Sequence, residues 1–236
     1  EAIKIYVFSY FAVSKIYKAK GRPSDNPLIV HVSNQKQLGQ FVAEIPEVAR
    51  KLMDAFWPGP LTFVLKSKEG ALSSVATAGL DTVAVRMPDH PVALALIEAS
   101  GLPIAAPSAN LSGKPSPTSA KHVADDLTGR IAGIVDGGAT GIGVESTVLD
   151  CTEPIPVILR PGGITKEEIE EVAGKVREDA ALHHDNAEPK SPGMKYTHYS
   201  PEAPFVLVEG TPGFLQSLVD KERKAGKKVG VMATSE

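Results

Sequence analysis

The sequence predicts an α+β fold: a twisted mixed sheet with flanking helices, followed by a linker and the opening of a smaller α/β unit. Three observations carry this expectation. Strand-like runs at 61–66, 82–87, 102–106, 131–136, 147–150 and 156–159 follow one another with few helical stretches between them, which favours a mixed sheet over strict β-α alternation. Apolar residues recur at helical spacing across 35–56. A polar, turn-rich segment at 179–204 then separates residues 1–178 from 205–236, and 236 residues suffice for one large domain or one and a half ordinary ones.

In chain order, Leu38, Phe41, Val42, Ile45, Val48, Leu52 and Phe56 form the helical pattern, with Pro46 dividing it into two amphipathic helices. Trp57-Pro58-Gly59-Pro60 stops the second helix. Along 82–87, Thr82, Ala84 and Arg86 share one face and Val83, Val85 and Met87 the other. Helical spacing returns at 92–99. The strand 102–106 then runs into a Pro/Ser/Gly-rich segment, and Ser116 and Pro117 are expected to start a helix carrying Val123 and Leu127. After the later strands, Thr165 and Glu168 form a capping box for a helix bearing Ile169, Val172 and Val176. The C-terminal unit reads as strand 205–208, helix 213–224 and strand 228–232.

Composition narrows the function classes. With 42% hydrophobic and 22% charged residues, the chain is neither disordered nor fibrous. Its formal charge of −3 disfavours non-specific nucleic-acid binding as its main role. The single cysteine, Cys151, cannot form an intramolecular disulfide, which suits the cytoplasm, and reads as a small buried strand-end residue. The longest apolar stretch, 5–13, falls short of the ~18 residues that mark a bilayer span, so no membrane association is expected.

Chemistry-bearing residues cluster in Gly/Pro-punctuated loops at strand ends. Lys18, Lys20 and Arg22 put three cations within five residues; in an extended backbone Lys20 and Arg22 would project together and suit a polyphosphate, the competing reading being a solvated helix end. Ser108 and Asn110 lie on a turn leaving a buried strand, either as ligand donors or as a turn cap. The segment 137–147 is a glycine-spaced loop whose backbone N–H groups and Ser146 could meet an anion. Arg160 sits at a strand terminus, where a surface ion pair would account for it equally. His31 follows an apolar run and fits either a semi-buried core histidine or a site residue.

Taken together, Lys20-Gly21-Arg22-Pro23-Ser24-Asp25-Asn26-Pro27-Leu28, Trp57-Pro58-Gly59-Pro60-Leu61-Thr62, Val85-Arg86-Met87-Pro88, Ala106-Pro107-Ser108-Ala109-Asn110, Glu145-Ser146-Thr147-Val148 and Leu159-Arg160-Pro161-Gly162 occur in an order that resembles the YrdC-like threonylcarbamoyl-AMP synthase family. The resemblance covers about 15–164, and Ser191-Pro192-Gly193-Met194-Lys195-Tyr196-Thr197-His198-Tyr199-Ser200-Pro201 is similar to the linker of the longer, two-domain members. It implies a YrdC-like sheet with a concave substrate cleft, a Rossmann-like C-terminal unit, and a nucleotidyltransferase. That enzyme would join L-threonine, bicarbonate or CO2 and ATP into L-threonylcarbamoyladenylate and pyrophosphate. The product would feed a downstream tRNA threonylcarbamoyl-transfer complex that modifies the adenosine beside the anticodon.

The same resemblance implies catalytic roles for Lys20, Arg22 and Ser108. It implies ATP contacts for Arg22, Asn26, Thr82, Ser108, Ser116, Arg160 and Tyr199, and threonine contacts for His31, Arg86, Ala106 and Ser146. Mg²⁺ would arrive with ATP and take no ligand from the protein. Residues 1–10 lack the family's Thr-Glu-Thr-x-Tyr-Gly-Leu-like segment, so this stretch is either a shortened remnant or an incomplete threonine pocket. The alternatives are a double-stranded-RNA or nucleotide-binding module and a non-catalytic paralogue.

Overall fold

The computed structural model describes residues 7–182 and 203–233, which fall into two compact units, 1–200 and 201–236. In the first unit, helix α1 (Tyr10–Lys20) leads to strand β1 (Ile29–His31), a 3-10 turn (Gln35–Gln40) and α2 (Glu47–Phe56). β2 (Leu61–Lys66), α3 (Ser74–Thr77), β3 (Thr82–Arg86), α4 (Pro91–Ser100), β4 (Ile104–Ala105) and α5 (Ala120–Leu127) follow. β5 (Thr147–Asp150), β6 (Val157–Arg160), α6 (Lys166–Ala173) and β7 (Arg177–Glu178) complete the sheet, and α7 (Pro212–Lys224) belongs to the second unit.

Among the described residues, seven strands form one sheet in the order β4-β1-β3-β2-β5-β6-β7. It is mixed: β1–β3, β2–β5 and β6–β7 run parallel, whereas β1–β4, β2–β3 and β5–β6 run antiparallel. Its two faces differ. Val30, Phe63, Leu65, Val83, Val85, Leu149 and Ile158 point into the main core with Leu38, Phe41, Leu52, Met53 and Ile169. The alternate residues Val64, Ala84, Val148 and Leu159 make a small second cluster on the other, open face, which also carries His31 and Arg86. Cys151 is fully buried at the end of β5, and burial pushes its thiol up to about 12.

Several expectations are corrected. The first half of 35–56 is a 3-10 turn, because the segment is short and Gly39 lowers its α-helical propensity. Helix α5 starts at Ala120, where the Ser119 hydroxyl accepts from the His122 N–H, so Ser116 and Pro117 lie outside it. Residues 131–136 form no strand: Ile134 and Val135 are exposed and no neighbouring strand offers them a ladder. Helix α6 has its capping box but ends at Ala173, with Gly174 at φ +76°, so Val176 is buried beyond the helix. The helix-end reading of Lys18–Arg22 holds in part: helix α1 starts at Tyr10 with Ser9 as its cap and closes at Gly21, but Lys20 is buried rather than solvated.

In the second unit only α7 is regular among the described residues. The segments 205–208 and 228–232 are not strands there, since a backbone ladder needs a neighbour and neither segment has one. Most of the expected linker, including Tyr199, lies outside the described residues. No helix among the described residues is long and apolar enough to cross a membrane.

Candidate functional site

Register assembles the site on the open face of the sheet. His31 stands opposite Arg86, Thr62 opposite Val148, and Val148 opposite Arg160. Strand β6 carries one extra residue there: Val148 pairs with Arg160 and Leu149 with Ile158, so a bulge turns both Leu159 and Arg160 toward the open face. The result is a cleft of about 340 Å³ whose walls include His31, Arg86, Ser146 and Arg160 from the sheet and Lys20 and Arg22 from the end of α1. Ala106, Ser108 and Asn110 contribute the turn after β4, and Ser116 and Glu145 the facing loops.

Each cation is held locally. The Arg160 Nη2 donates to the Ser146 carbonyl at 2.8 Å and to the Ser146 Oγ at 3.2 Å, while Thr62 Oγ1 and Ser146 Oγ share a buried hydrogen bond of 2.8 Å. This network makes Ser146 the hub between β2, β5 and β6. Arg86 Nε donates to the Gly59 carbonyl at 3.0 Å. Burial, then the neighbouring Arg160 guanidinium, hold the Arg86 pKa below its usual value, opposed by Asp89. Two guanidiniums near enough to repel each other in a partly dehydrated cleft attract an anion strongly. His31 is pushed down to about 4 by burial and then by Arg86, against the smaller pull of the Ile29 and Ile104 backbone, so it is neutral near pH 7.

On the opposite wall, Gly21 adopts φ +61°, a conformation natural to glycine, and lets the Arg22 N–H donate back to the Tyr17 carbonyl at 3.0 Å. Lys20 is therefore helical and not extended, yet both cations reach the cleft. Arg22 Nη2 donates to the Pro27 carbonyl at 3.0 Å and the Asn26 carbonyl at 3.3 Å. Lys20 is only 5% exposed, with its ammonium on the Ser108 and Asn110 carbonyls. Burial, then Arg22, push it down to about 8, with Asp126 opposing.

The structure thus brings together Lys20, Arg22, His31, Arg86, Ala106, Ser108, Ser116, Ser146 and Arg160. Asn26 is buried beside this group, its carbonyl engaged by Tyr17 and Arg22, and is not among the lining residues. Thr82 shares a face with Arg86 but lies four residues away at the other end of β3, roughly 13 Å along the strand, and does not line the cleft. Sequence reasoning assigned no role to Thr62 or Glu145. The motifs containing them were the available signal, but the Thr62–Ser146 and Ser116–Glu145 contacts, the latter 3.2 Å, exist only in the fold.

Fold and cleft define an α+β protein whose mixed sheet carries a cation-lined cleft. Residues 7–162 match the family model for Sua5, YciO and YrdC, described as "Telomere recombination", and residues 164–236 match one described as "Threonylcarbamoyl-AMP synthase, C-terminal domain". The chain belongs to the Sua5/YciO/YrdC family. It is 64% identical over 225 residues to the threonylcarbamoyl-AMP synthase of Bacillus subtilis, covering 95% of this chain and 65% of the relative. It is 55% identical to the Pyrococcus abyssi enzyme of the same name, covering 94% and 67%. The crystal structure of P. abyssi Sua5 complexed with L-threonine superposes with a TM-score of 0.91 at 53% identity, covering 98% of this chain and 69% of that one. The chain spans about two thirds of the length of these relatives.

Proposed function

We propose that this chain carries the catalytic part of a threonylcarbamoyl-AMP synthase, an adenylyl-transferring enzyme whose substrates are L-threonine, bicarbonate or CO2, and MgATP. The observation that carries the reading is the convergence of His31, Arg86, Ser146 and Arg160 on one sheet face, across the cleft from Arg22 and the Ser108 turn. The similarity to proteins named for this activity, one of them solved with L-threonine, supports it.

The chemistry asks for little from protein nucleophiles. The threonine amine bonds to the carbon of CO2 and loses a proton, giving a carbamate. A carbamate oxygen then attacks the α-phosphorus of ATP, the α–β bridging bond breaks, and pyrophosphate leaves. The substrate supplies the nucleophile, so the enzyme's task is to hold two anions in line and offset charge in transit. Arg86 takes the threonine carboxylate, with neutral His31, Ala106 and Ser146 shaping that end. Arg22, Ser108, Ser116 and Arg160 face the nucleotide, with Asn26 beside them. Magnesium enters with ATP, whose phosphates supply ligands it favours.

In this reading residues 1–178 form the catalytic region and 179–204 the linker, with Tyr199 an ATP contact. Residues 205–236 open the Rossmann-like domain, and the adenylate passes to a tRNA threonylcarbamoyl-transfer complex in the cytoplasm. The test is threonine- and bicarbonate-dependent pyrophosphate release from ATP, with serine as control and the nucleotide product identified by mass. A threonylcarbamoyl-adenylate mass supports the proposal. ATP binding without release would overturn catalysis and favour the non-catalytic binder.

A further inference from the structure

An ammonium group has three N–H donors and no acceptor. At Lys20 three acceptors converge on it: the Ser108 carbonyl at 2.5 Å, the Asn110 carbonyl at 2.6 Å and the Asn110 Oδ1 at 3.2 Å. The main chain adds a fourth tie in the other direction, because the Ser112 N–H donates to the Lys20 carbonyl at 2.9 Å. Around this knot the Asn110 amide donates to the Leu111 and Lys114 carbonyls, and the Asp126 carboxylate accepts from the Leu111 N–H at 3.0 Å and from Lys114 at 3.1 Å. The charge that Lys20 brings to the cleft is thus already directed at protein oxygens, while Ser108 itself remains exposed to the cleft.

We infer that Lys20 is a positioning residue that ties the end of α1 to the turn presenting Ala106, Ser108 and Asn110, and that it is not a direct ligand of the triphosphate. The inference rests on the nucleotide-binding reading above and changes the role of one residue within it. A lysine in direct contact with phosphate would contribute selectively to charged ligands. A lysine that holds a wall contributes to every ligand resting on that wall, charged or neutral. Its three converging bonds also set a geometric demand that a planar guanidinium does not satisfy, although a guanidinium serves phosphate well.

The experiment compares the wild-type chain with Lys20→Met and Lys20→Arg, and measures adenosine and MgATP affinity by calorimetry together with amide hydrogen exchange across 108–114 in the unliganded protein. Both variants are expected to weaken adenosine and ATP by the same factor within about threefold, and to speed exchange of the Leu111 and Ser112 amides by about tenfold or more. Arg22→Ala, by contrast, is expected to weaken ATP and spare adenosine. An ATP loss about tenfold greater than the adenosine loss, or recovery of ATP affinity in Lys20→Arg, would overturn the inference. So would a lowered urea midpoint with unchanged affinities in the folded fraction, the mark of a purely structural lysine. If the wild-type chain bound neither ligand, the nucleotide reading would fail, and the exchange comparison would still decide the tie: unchanged exchange overturns it.

Discussion

His31 ends β1 with a buried Nδ1 that has no hydrogen-bond partner among the described residues, beside the Arg86 guanidinium. Its folded pKa of about 4 lies below the ordinary 6.5, so the unfolded chain binds more protons between these values. The stability that the neutral imidazole confers is complete above pH 6.5 and is lost as pH falls toward 4, by about 3 kcal/mol at ~1.4 kcal/mol per unit. Urea unfolding of wild type and His31→Gln over this range should show the wild type losing stability faster; parallel curves would refute it. Arg86, its neighbour across the ladder, has a different signature. Arg86→Ala is expected to raise KM for threonine by about 10–100-fold while KM for ATP stays within about twofold. An effect confined to ATP would reverse the assignment of the two ends of the cleft.

The hairpin-like approach of β6 to β5 is the element on which the site depends, and one glycine permits it. A Cβ at Gly162 would lie 2.4 Å from the Thr147 N and 2.5 Å from the Glu145 O, both backbone atoms with no room to yield. Gly162→Ala is therefore expected to cost about 1–3 kcal/mol and to impair catalysis by displacing Ser146, as read from urea midpoints and steady-state rates. Elements differ in how visibly the sequence encodes them. Strands β2 and β3 were legible because short runs rich in apolar and β-branched residues sit between turn signals. Residues 131–136 carry the same composition without a neighbouring strand, and composition cannot report a missing partner. Residues near the cleft were legible as strand ends and turns, but the His31–Arg86 adjacency comes from pairing across more than fifty residues, and the bulge that aims Arg160 comes from a register slip. Neither has a local signature, and the wall-holding geometry of Lys20 was likewise invisible in a run of basic residues.

For the whole chain, charge and topology set the remaining expectations. The formal charge is −3, and the cations that face the cleft are spaced for a small ligand rather than along a groove. A double-stranded-RNA gel shift seen at about 50 mM salt is expected to vanish by about 200 mM, as counterion release predicts for non-specific contacts. A shift that persisted would favour the RNA-binding alternative. The parallel pairing of β2 with β5 spans the intervening residues 67–146, so the sheet closes only after distant parts of the chain have met, and the fold is expected to form slowly compared with a helical bundle.

The sheet order also determines how the molecule meets its own copies at high concentration. Among the described residues its outermost strands, β4 and β7, are two residues each, and β7 is the charged pair Arg177-Glu178, with Arg177 bridged to Glu153. The long apolar strands β2 and β3 are enclosed by neighbours on both sides. An intermolecular strand docking on either rim would find a template too short to hold it, so the aggregation hazard of an open sheet is blunted by where the chain begins and ends its ladder.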